Sequence, residues 1–487
     1  MKAYLVRGVP MRMQQDGWWL NSPEPTESGD RTARRPVLWR AGALVALLAL
    51  GDALFWGVLP GLALAVFAMA CVAVAVLLVW PGLQRERLFL AAGLTVLSVL
   101  PVVELVQPLS LIFLFLGIPL VVLILSGRPL QLWLRAIWRF WLFGPIHSLV
   151  ESISLADGLV GASPSADTGR FFNGWALPVG VGAVFTALLV EANPVAAHWL
   201  INWKLDLPDV SRVMMWTGLA LIIWPVLSAQ AFGPVLAPDR KSRRPRPRRT
   251  SRLINADSIL RSLVLFNLLF AGQNAMDMAF LAGGVSLPDG LTYAEYAHRG
   301  AYPLLILALL SGAFALLARP FITLAPVVRT LLLIWVAQTI WLTCSSFLRL
   351  DLYVEVYGLT RLRIAAGLWM AMVAAGLVMI LWQIAKAQSN RWLLLRVASL
   401  GAAVLYGCCF FSFDRAIAQY NLTHDVPRDW IYLRFLGEGA APVFVEQSVP
   451  RQLHPTISIP ADWREWGFRN ARVRASLAAL NEQAKLP

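Results

Sequence analysis

Between Leu62 and Trp80 the chain carries no charged, amide or hydroxyl side chain. As a helix, an apolar run of about 20 residues matches the hydrocarbon core of a bilayer, roughly 30 Å thick. Comparable runs recur along most of the chain, and this recurrence constrains the fold more than any motif does. Backbone groups in lipid must bond internally, so only helices and closed barrels cross a membrane. A barrel strand alternates apolar and polar residues, and these runs do not. Composition agrees, with 58% hydrophobic and 14% charged residues against about 25% charged in soluble proteins. The expected fold class is all-α: a polytopic transmembrane helix bundle of about eleven spans, with a small helical extracytoplasmic C-terminal appendage.

Charge asymmetry threads the chain. Residues 1–40 read as a polar, disordered cytoplasmic tail with no apolar stretch that would make a signal peptide. Residues 41–127 read as two hairpins: Ala41 to Gly57 with Leu62 to Trp80, then Leu88 to Gly127 turning near Gln107-Pro108. Arg34, Arg35 and Arg40, then Arg85 and Arg87, then Arg128, Arg135 and Arg139 put the hairpin flanks inside. Residues 128–171 read as an interfacial helix, Gln131 to Val150, rich in Trp and Arg, followed by a Gly/Ser/Asp linker. Residues 172–413 form the remaining bundle, with spans at Trp175 to Val190, Val213 to Phe232, Ser262 to Gly283 and Ala301 to Leu317. Three more follow at Leu324 to Ser345, Ile364 to Ile384 and Leu394 to Phe413. Glu191 to Asp209 is an outer loop, residues 238–252 a basic cytoplasmic loop, and Arg319, Arg329, Lys386, Arg391 and Arg396 mark later inside turns. An odd count leaves residues 414–487 outside, with an amphipathic helix at Trp463 to Gln483. The expected location is a bacterial inner membrane, N-terminus cytoplasmic and C-terminus extracytoplasmic.

A net charge of +14 would point to nucleic acid in a soluble chain. Here the densest run, Arg240 to Arg252, lies between spans and lacks interleaved aromatics. It reads as a contact with anionic lipid headgroups, with no nucleic-acid partner. The four cysteines sit in apolar runs and the five histidines are scattered, which argues against a disulfide framework, a metal site or a metal cofactor. No zinc-protease, Walker, nucleophile-elbow or kinase signature occurs, and the sequence calls for no cofactor of any kind.

Three features stand out from the apolar background. The first is Leu291 to Gly300, where Thr292 and Glu295 form a capping-box pattern and Glu295, His298 and Arg299 share a helix face. Either Glu295 caps the helix and pairs with Arg299, or Tyr293, Tyr296, His298 and Arg299 rim a ligand site with it. The second is Arg349 to Arg363, in which Arg349, Asp351, Tyr353, Glu355 and Tyr357 alternate with apolar residues. The alternation fits a short extended segment; helical spacing also joins Tyr353 to Tyr357 and Asp351 to Glu355. Thr360 is placed to cap the tenth span, which leaves Arg361 and Arg363 at the positive end of its dipole and in need of an anionic partner. Asp351, Glu355, Glu295 or a bound ligand would serve, with the two segments lying together on the outer face. The third is polar content within spans: Asp52, Asn267, Gln273, Asn274, Asp277 and Gln338, with Glu104 at the end of the third. On the seventh span Asn267, Gln273, Asn274 and Asp277 fall within an arc of roughly 120°. That arc should face the bundle interior, toward Gln338 or Asp52, because lipid would leave its groups without partners.

The stretches Tyr293-Ala-Glu-Tyr-Ala-His-Arg-Gly-Ala-Tyr-Pro-Leu-Leu305 and Arg349 to Arg363, with Arg415 to Leu422, Tyr432-Leu433 and Ala440-Ala441-Pro442, carry a resemblance. From about Asp257 to Ala479 the chain resembles an uncharacterised family of bacterial multi-pass membrane proteins, known only as a domain of unknown function. The resemblance implies a membrane bundle and brings no activity or cofactor. Three functions fit the residues: transport or sensing of a polar or anionic ligand at the outer face, a scaffold or regulatory subunit binding another envelope protein, or a membrane enzyme on a lipid-linked substrate. The last would draw its acid/base groups from Glu295, Asp351, Glu355 and His298.

Overall fold

The computed structural model describes residues 27–79, 82, 84–129, 133–159, 209–230, 255–281, 293–322 and 325–483. Among them the regular elements are all helical, and they fall into two compact units, Met1–Val99 with Leu114–Asp239 and Leu100–Phe113 with Arg240–Pro487.

The first unit is built on α1 (Glu27–Phe55), α2 (Leu62–Val79), most of α3 (Arg85–Glu104) and α4 (Pro108–Leu125), α5 (Trp133–Leu159) and α6 (Val210–Leu227). The α3–α4 turn falls at Gln107-Pro108 as expected. Helices α2 and α4 are apolar on every side, and the residues they bury make most of the core: Ala63, Phe67, Cys71 and Ala75 of α2 and Val121 to Leu125 of α4. A Cβ at Gly117 would lie 1.9 Å from Ser98 Oγ, so only glycine lets α3 and α4 approach this closely. Helix α5 runs on to Leu159, through half of the expected linker, because Ala136 and Phe140 are buried and Ser148 donates to the Leu221 carbonyl of α6 at 3.1 Å. The expected fifth span, the outer loop before Asp209 and the Arg240–Arg252 run lie outside the described residues.

The membrane part of the second unit holds α7 (Ala256–Leu281), α8 (Tyr293–Ala318), α9 (Pro326–Tyr357), α10 (Arg361–Ala385) and α11 (Asn390–Phe410). Its core packs Leu263, Leu332, Val336 and Leu377 beside a nest in which the rings of Phe266, Phe270 and Phe314 lie 5.3–5.6 Å from Trp335. The α8–α9 and α10–α11 turns share one end of this bundle. Arg319 donates to Asn390 at 2.9 Å and to the Gln388 carbonyl, and Arg329 to the Ala385 carbonyl at 3.3 Å. Two turns that the charge rule assigns to one side thus meet. Eight helices among the described residues are long and apolar enough to cross a membrane: α2, α3, α4, α6, α7, α9, α10 and α11. Helices α1 and α8 stand where the first and eighth spans were expected. The protein is a multi-pass integral membrane protein.

Helix α9 departs most from expectation. Its 32 residues extend about 48 Å, some 18 Å more than a hydrocarbon core. The alternating segment from Arg349 is therefore helical, not extended; no Gly or Pro interrupts it before Gly358. Beyond α11 the chain folds into an appendage of α12 (Phe413–Thr423), α13 (Trp430–Arg434), α14 (Ala441–Glu446) and α15 (Phe468–Gln483). Ile417, Leu422, Leu433, Val443 and Phe444 form its own small core. Two arginines of α15, Arg469 and Arg472, clasp the buried carboxylate of Glu104, Arg469 at 3.1 Å. The buried stripe of α15 is short, centred on Arg469 and Val473, so the amphipathic pattern expected as far back as Trp463 resolves into a 3-10 turn, Trp463–Glu465, before the helix.

Candidate functional site

The unusual residues of the second unit gather on α9, which presents them on two sides. Toward α7 runs a polar seam. Asn267 donates to the Leu331 carbonyl at 3.1 Å, Gln338 to Asn267 Oδ1 at 3.4 Å, and Asn274 to the Gln338 carbonyl at 3.1 Å. The seam ends at Asp277, which accepts from Gln273 at 2.8 Å, from the Ser345 hydroxyl at 2.5 Å and from the Arg349 guanidinium. The pair is closed off, with Asp277 1% and Arg349 3% exposed. The expected inward-facing arc is thus present, and Gln338 is its partner; Val264 and Leu268 on the opposite side are exposed. Asp52 is not part of it. It lies in the first unit, where it accepts from Arg212 Nε at 2.6 Å and Trp216 Nε1 at 2.9 Å. Arg212 escaped the sequence reading because α6 begins at Val210, three residues before the span expected from hydropathy.

On its other side α9 faces α10 across a groove of about 420 Å³. Phe347, Leu350 and Val354 line it from α9, and Ile364, Gly367, Leu368 and Ala371 from α10, each set at helical i, i+3, i+4, i+7 spacing. A Cβ at Gly367 would meet Leu350 and Phe347 at 3.5 and 3.6 Å, so alanine would fit there and a larger side chain would take up the space. Asp351, Arg363 and Tyr420 of α12 are the polar groups lining it. Asp351 and Glu355, one turn apart, make no ion pair or hydrogen bond among the described residues. Burial, then the charges of Glu355 and Asp351, push the Tyr420 phenol above its ordinary range.

The turn from α9 to α10 fixes these groups. Gly358 sits at φ 77°, ψ 178°, a region essentially closed to side-chain-bearing residues. A Cβ there would lie 2.7 Å from Asn421 Oδ1. Asn421 of α12 clamps the next residue, accepting from Leu359 N at 2.6 Å and donating to Leu359 O at 2.8 Å. Thr360 caps α10 as expected, accepting from Arg363 N at 3.3 Å. The two arginines at the positive end of α10 are not held by Asp351 or Glu355. Arg361 pairs with Asp414 at 2.7 Å. Arg363 turns back to the carbonyls of Tyr357 and Gly358, the negative end of the α9 dipole, with its guanidinium 4.4 Å from the Tyr353 ring centroid. The rings of Tyr353 and Tyr357 lie 4.8 Å apart, tilted by 48°. Arg349, read with this segment from sequence, belongs to the seam instead. Tyr293, Glu295, Tyr296, His298 and Arg299 open α8, whose helix starts at Tyr293; their side chains lie outside the described residues, as does their expected contact with Arg349–Arg363.

A family model described as a domain of unknown function (DUF4153) matches residues 88–447. The chain belongs to this family. No curated protein and no solved structure matches it. The DUF4153 match begins in α3, well before Asp257, so the N-terminal half shares more than hydropathy with the family. It takes in the seam, the groove, Asp414 and Asn421, and it stops short of α15. Glu104 thus lies inside the family region, while Arg469 and Arg472, which hold it, lie beyond.

Proposed function

We propose that the protein binds an amphiphile, a lipid or lipid-linked molecule, with its chain in the α9–α10 groove and its polar head at Asp351, Arg363 and Tyr420. The observation that carries this reading is the groove itself: apolar along two helical turns, with polar groups of both signs, Asp351 and Arg363, in its lining. Its volume falls in the range of small-molecule sites. A lining that offers both a carboxylate and a guanidinium complements a head that bears both charges better than a simple anion. The protein works in a bacterial inner membrane, N-terminus cytoplasmic, with the groove mouth and appendage at the outer face and the Arg240–Arg252 run against anionic headgroups inside. Ligand handling here means sensing or presentation. A route through the bundle by way of Asp277 lacks support, since that carboxylate is packed shut. The appendage, with its own core beside the groove, is where an envelope protein partner would read the bound state.

The test is purification from native membrane followed by native mass spectrometry. Gly367→Leu fills the groove, whereas Gly367→Ala adds only ordinary van der Waals contacts. One lipid class should co-purify with the wild type and Gly367→Ala and be lost from Gly367→Leu. Asp351→Asn, which leaves the volume alone, should change the head-group class retained. Identical lipid spectra in all four proteins would refute the reading.

A further inference from the structure

The appendage has a face that its own core does not use. Ile431 and Phe435, four residues apart on and just after α13, are 76% and 77% exposed. Inside a water-surrounded domain such side chains are a liability, and contiguous apolar surface marks an interaction site. Their position is set by the spanning helices. The backbone N–H of Arg361, the first residue of α10, donates to the Tyr432 hydroxyl at 2.8 Å, and Arg361 also holds Asp414. Helix α13 is therefore moored at the very start of a membrane span, beside Leu362, which is 79% exposed on that span. Arg428 and Arg434 flank the pair and are exposed, as is Asp429, whose carboxylate caps α13, accepting from Tyr432 N at 3.0 Å.

We infer that Ile431 and Phe435 insert into the head-group layer of the bilayer at the α10 end, seating the appendage on the membrane. Three observations favour lipid as the occupant. The patch continues the lipid-facing surface of α10 through Leu362. It is rimmed by arginines suited to lipid phosphates. And Tyr432 packs its ring against the appendage core while its hydroxyl accepts from the first residue of a membrane span, which fixes the patch at the level of that helix end. The seat holds whether or not the groove binds an amphiphile, since none of these residues lines it.

A photoreactive phenylalanine placed singly at Leu362, Ile431 or Phe435 in the full-length protein tests this. The protein is reconstituted in nanodiscs of phosphatidylethanolamine and phosphatidylglycerol. All three positions should crosslink to phospholipid. Crosslinking at Leu362 with none at 431 or 435 would overturn the inference. Trypsin gives a second reading: cleavage after Arg434 should be slow in the wild type and at least tenfold faster in Ile431→Asp/Phe435→Asp. Equal rates would also overturn it.

Discussion

Breaking the Asp277–Arg349 pair should be far costlier than removing it. Both groups are almost fully buried, 1% and 3% exposed, between α7 and α9. Asp277→Leu leaves the guanidinium uncompensated in an apolar bundle, and an arginine cannot shed its charge. Stranding one partner of a buried pair costs about 3–5 kcal/mol. Arg349→Met should cost less, about 2–3 kcal/mol, because the Ser345 and Gln273 hydrogen bonds to the carboxylate remain. The double variant Asp277→Leu/Arg349→Met strands neither charge and should lie within about 1–2 kcal/mol of the wild type. The implied coupling is about 3–7 kcal/mol, well above the roughly 0.5 kcal/mol scatter of independent sites.

The assay is reversible unfolding in mixed micelles, titrated with a denaturing detergent and followed by helical circular dichroism. The closed seam sets a second expectation: Asp277→Asn should lower stability without changing which lipid is retained. Additive single-variant effects would refute the pairing as an energetic unit. Unchanged stability with altered lipid retention would refute its structural role.

Other positions give sharp outcomes. Gly358→Ala must occupy a conformation costing about 1–3 kcal/mol and displace Asn421; proteolysis at the α9–α10 turn should accelerate, with Asn421→Ala reproducing the effect. Glu104→Gln removes the charge that holds Arg469 and Arg472 and should release α15 to trypsin, at a cost of about 2–3 kcal/mol. The raised Tyr420 phenol means the folded protein holds that proton harder than the unfolded chain does. Its stabilisation is therefore complete below the ordinary value of 10.0 and is lost as pH rises through the folded value. Near-ultraviolet spectra should report alkaline loosening of the appendage, and Tyr420→Phe should abolish it. Reporter fusions after Lys386 and after Pro487 should report opposite sides of the membrane.

How far the sequence disclosed these features depended on the range of the interaction. The seam was legible because it is periodic: four polar residues within one helical arc demand an interior neighbour, and Gln338 was the amide on the adjacent span. Thr360 was legible because a cap acts within three residues. Ion-pair partners were not, since Arg361 reaches 53 residues ahead to Asp414 and Glu104 reaches 365 to Arg469. Such pairs leave no local pattern. The groove was invisible for a different reason: it lies between two helices, and a glycine such as Gly367 in an apolar run says nothing about the helix opposite.

Of the two readings that the alternation from Arg349 to Tyr357 allowed, the helical one holds, and period two, read on a helix, is a rotation. Two residues turn by about 200°, so Arg349 and Asp351, neighbours in the pattern, face α7 and α10 respectively. This has a mechanical consequence for the proposed function. Turning α9 about its axis, as an alternating-access cycle through the groove would require, tears Arg349 from Asp277 at the cost worked out above. That element is pinned. Helix α10 buries far less of its surface, 17% of its span window against 44% for α9. Its start is held through Arg361 and Thr360, both at the membrane boundary. A bound amphiphile would therefore change the α10 side of the groove and, through Asp414, Asn421 and Tyr432, the appendage. Under the proposed function a signal would pass to the appendage along that side, which favours sensing over passage through the bundle.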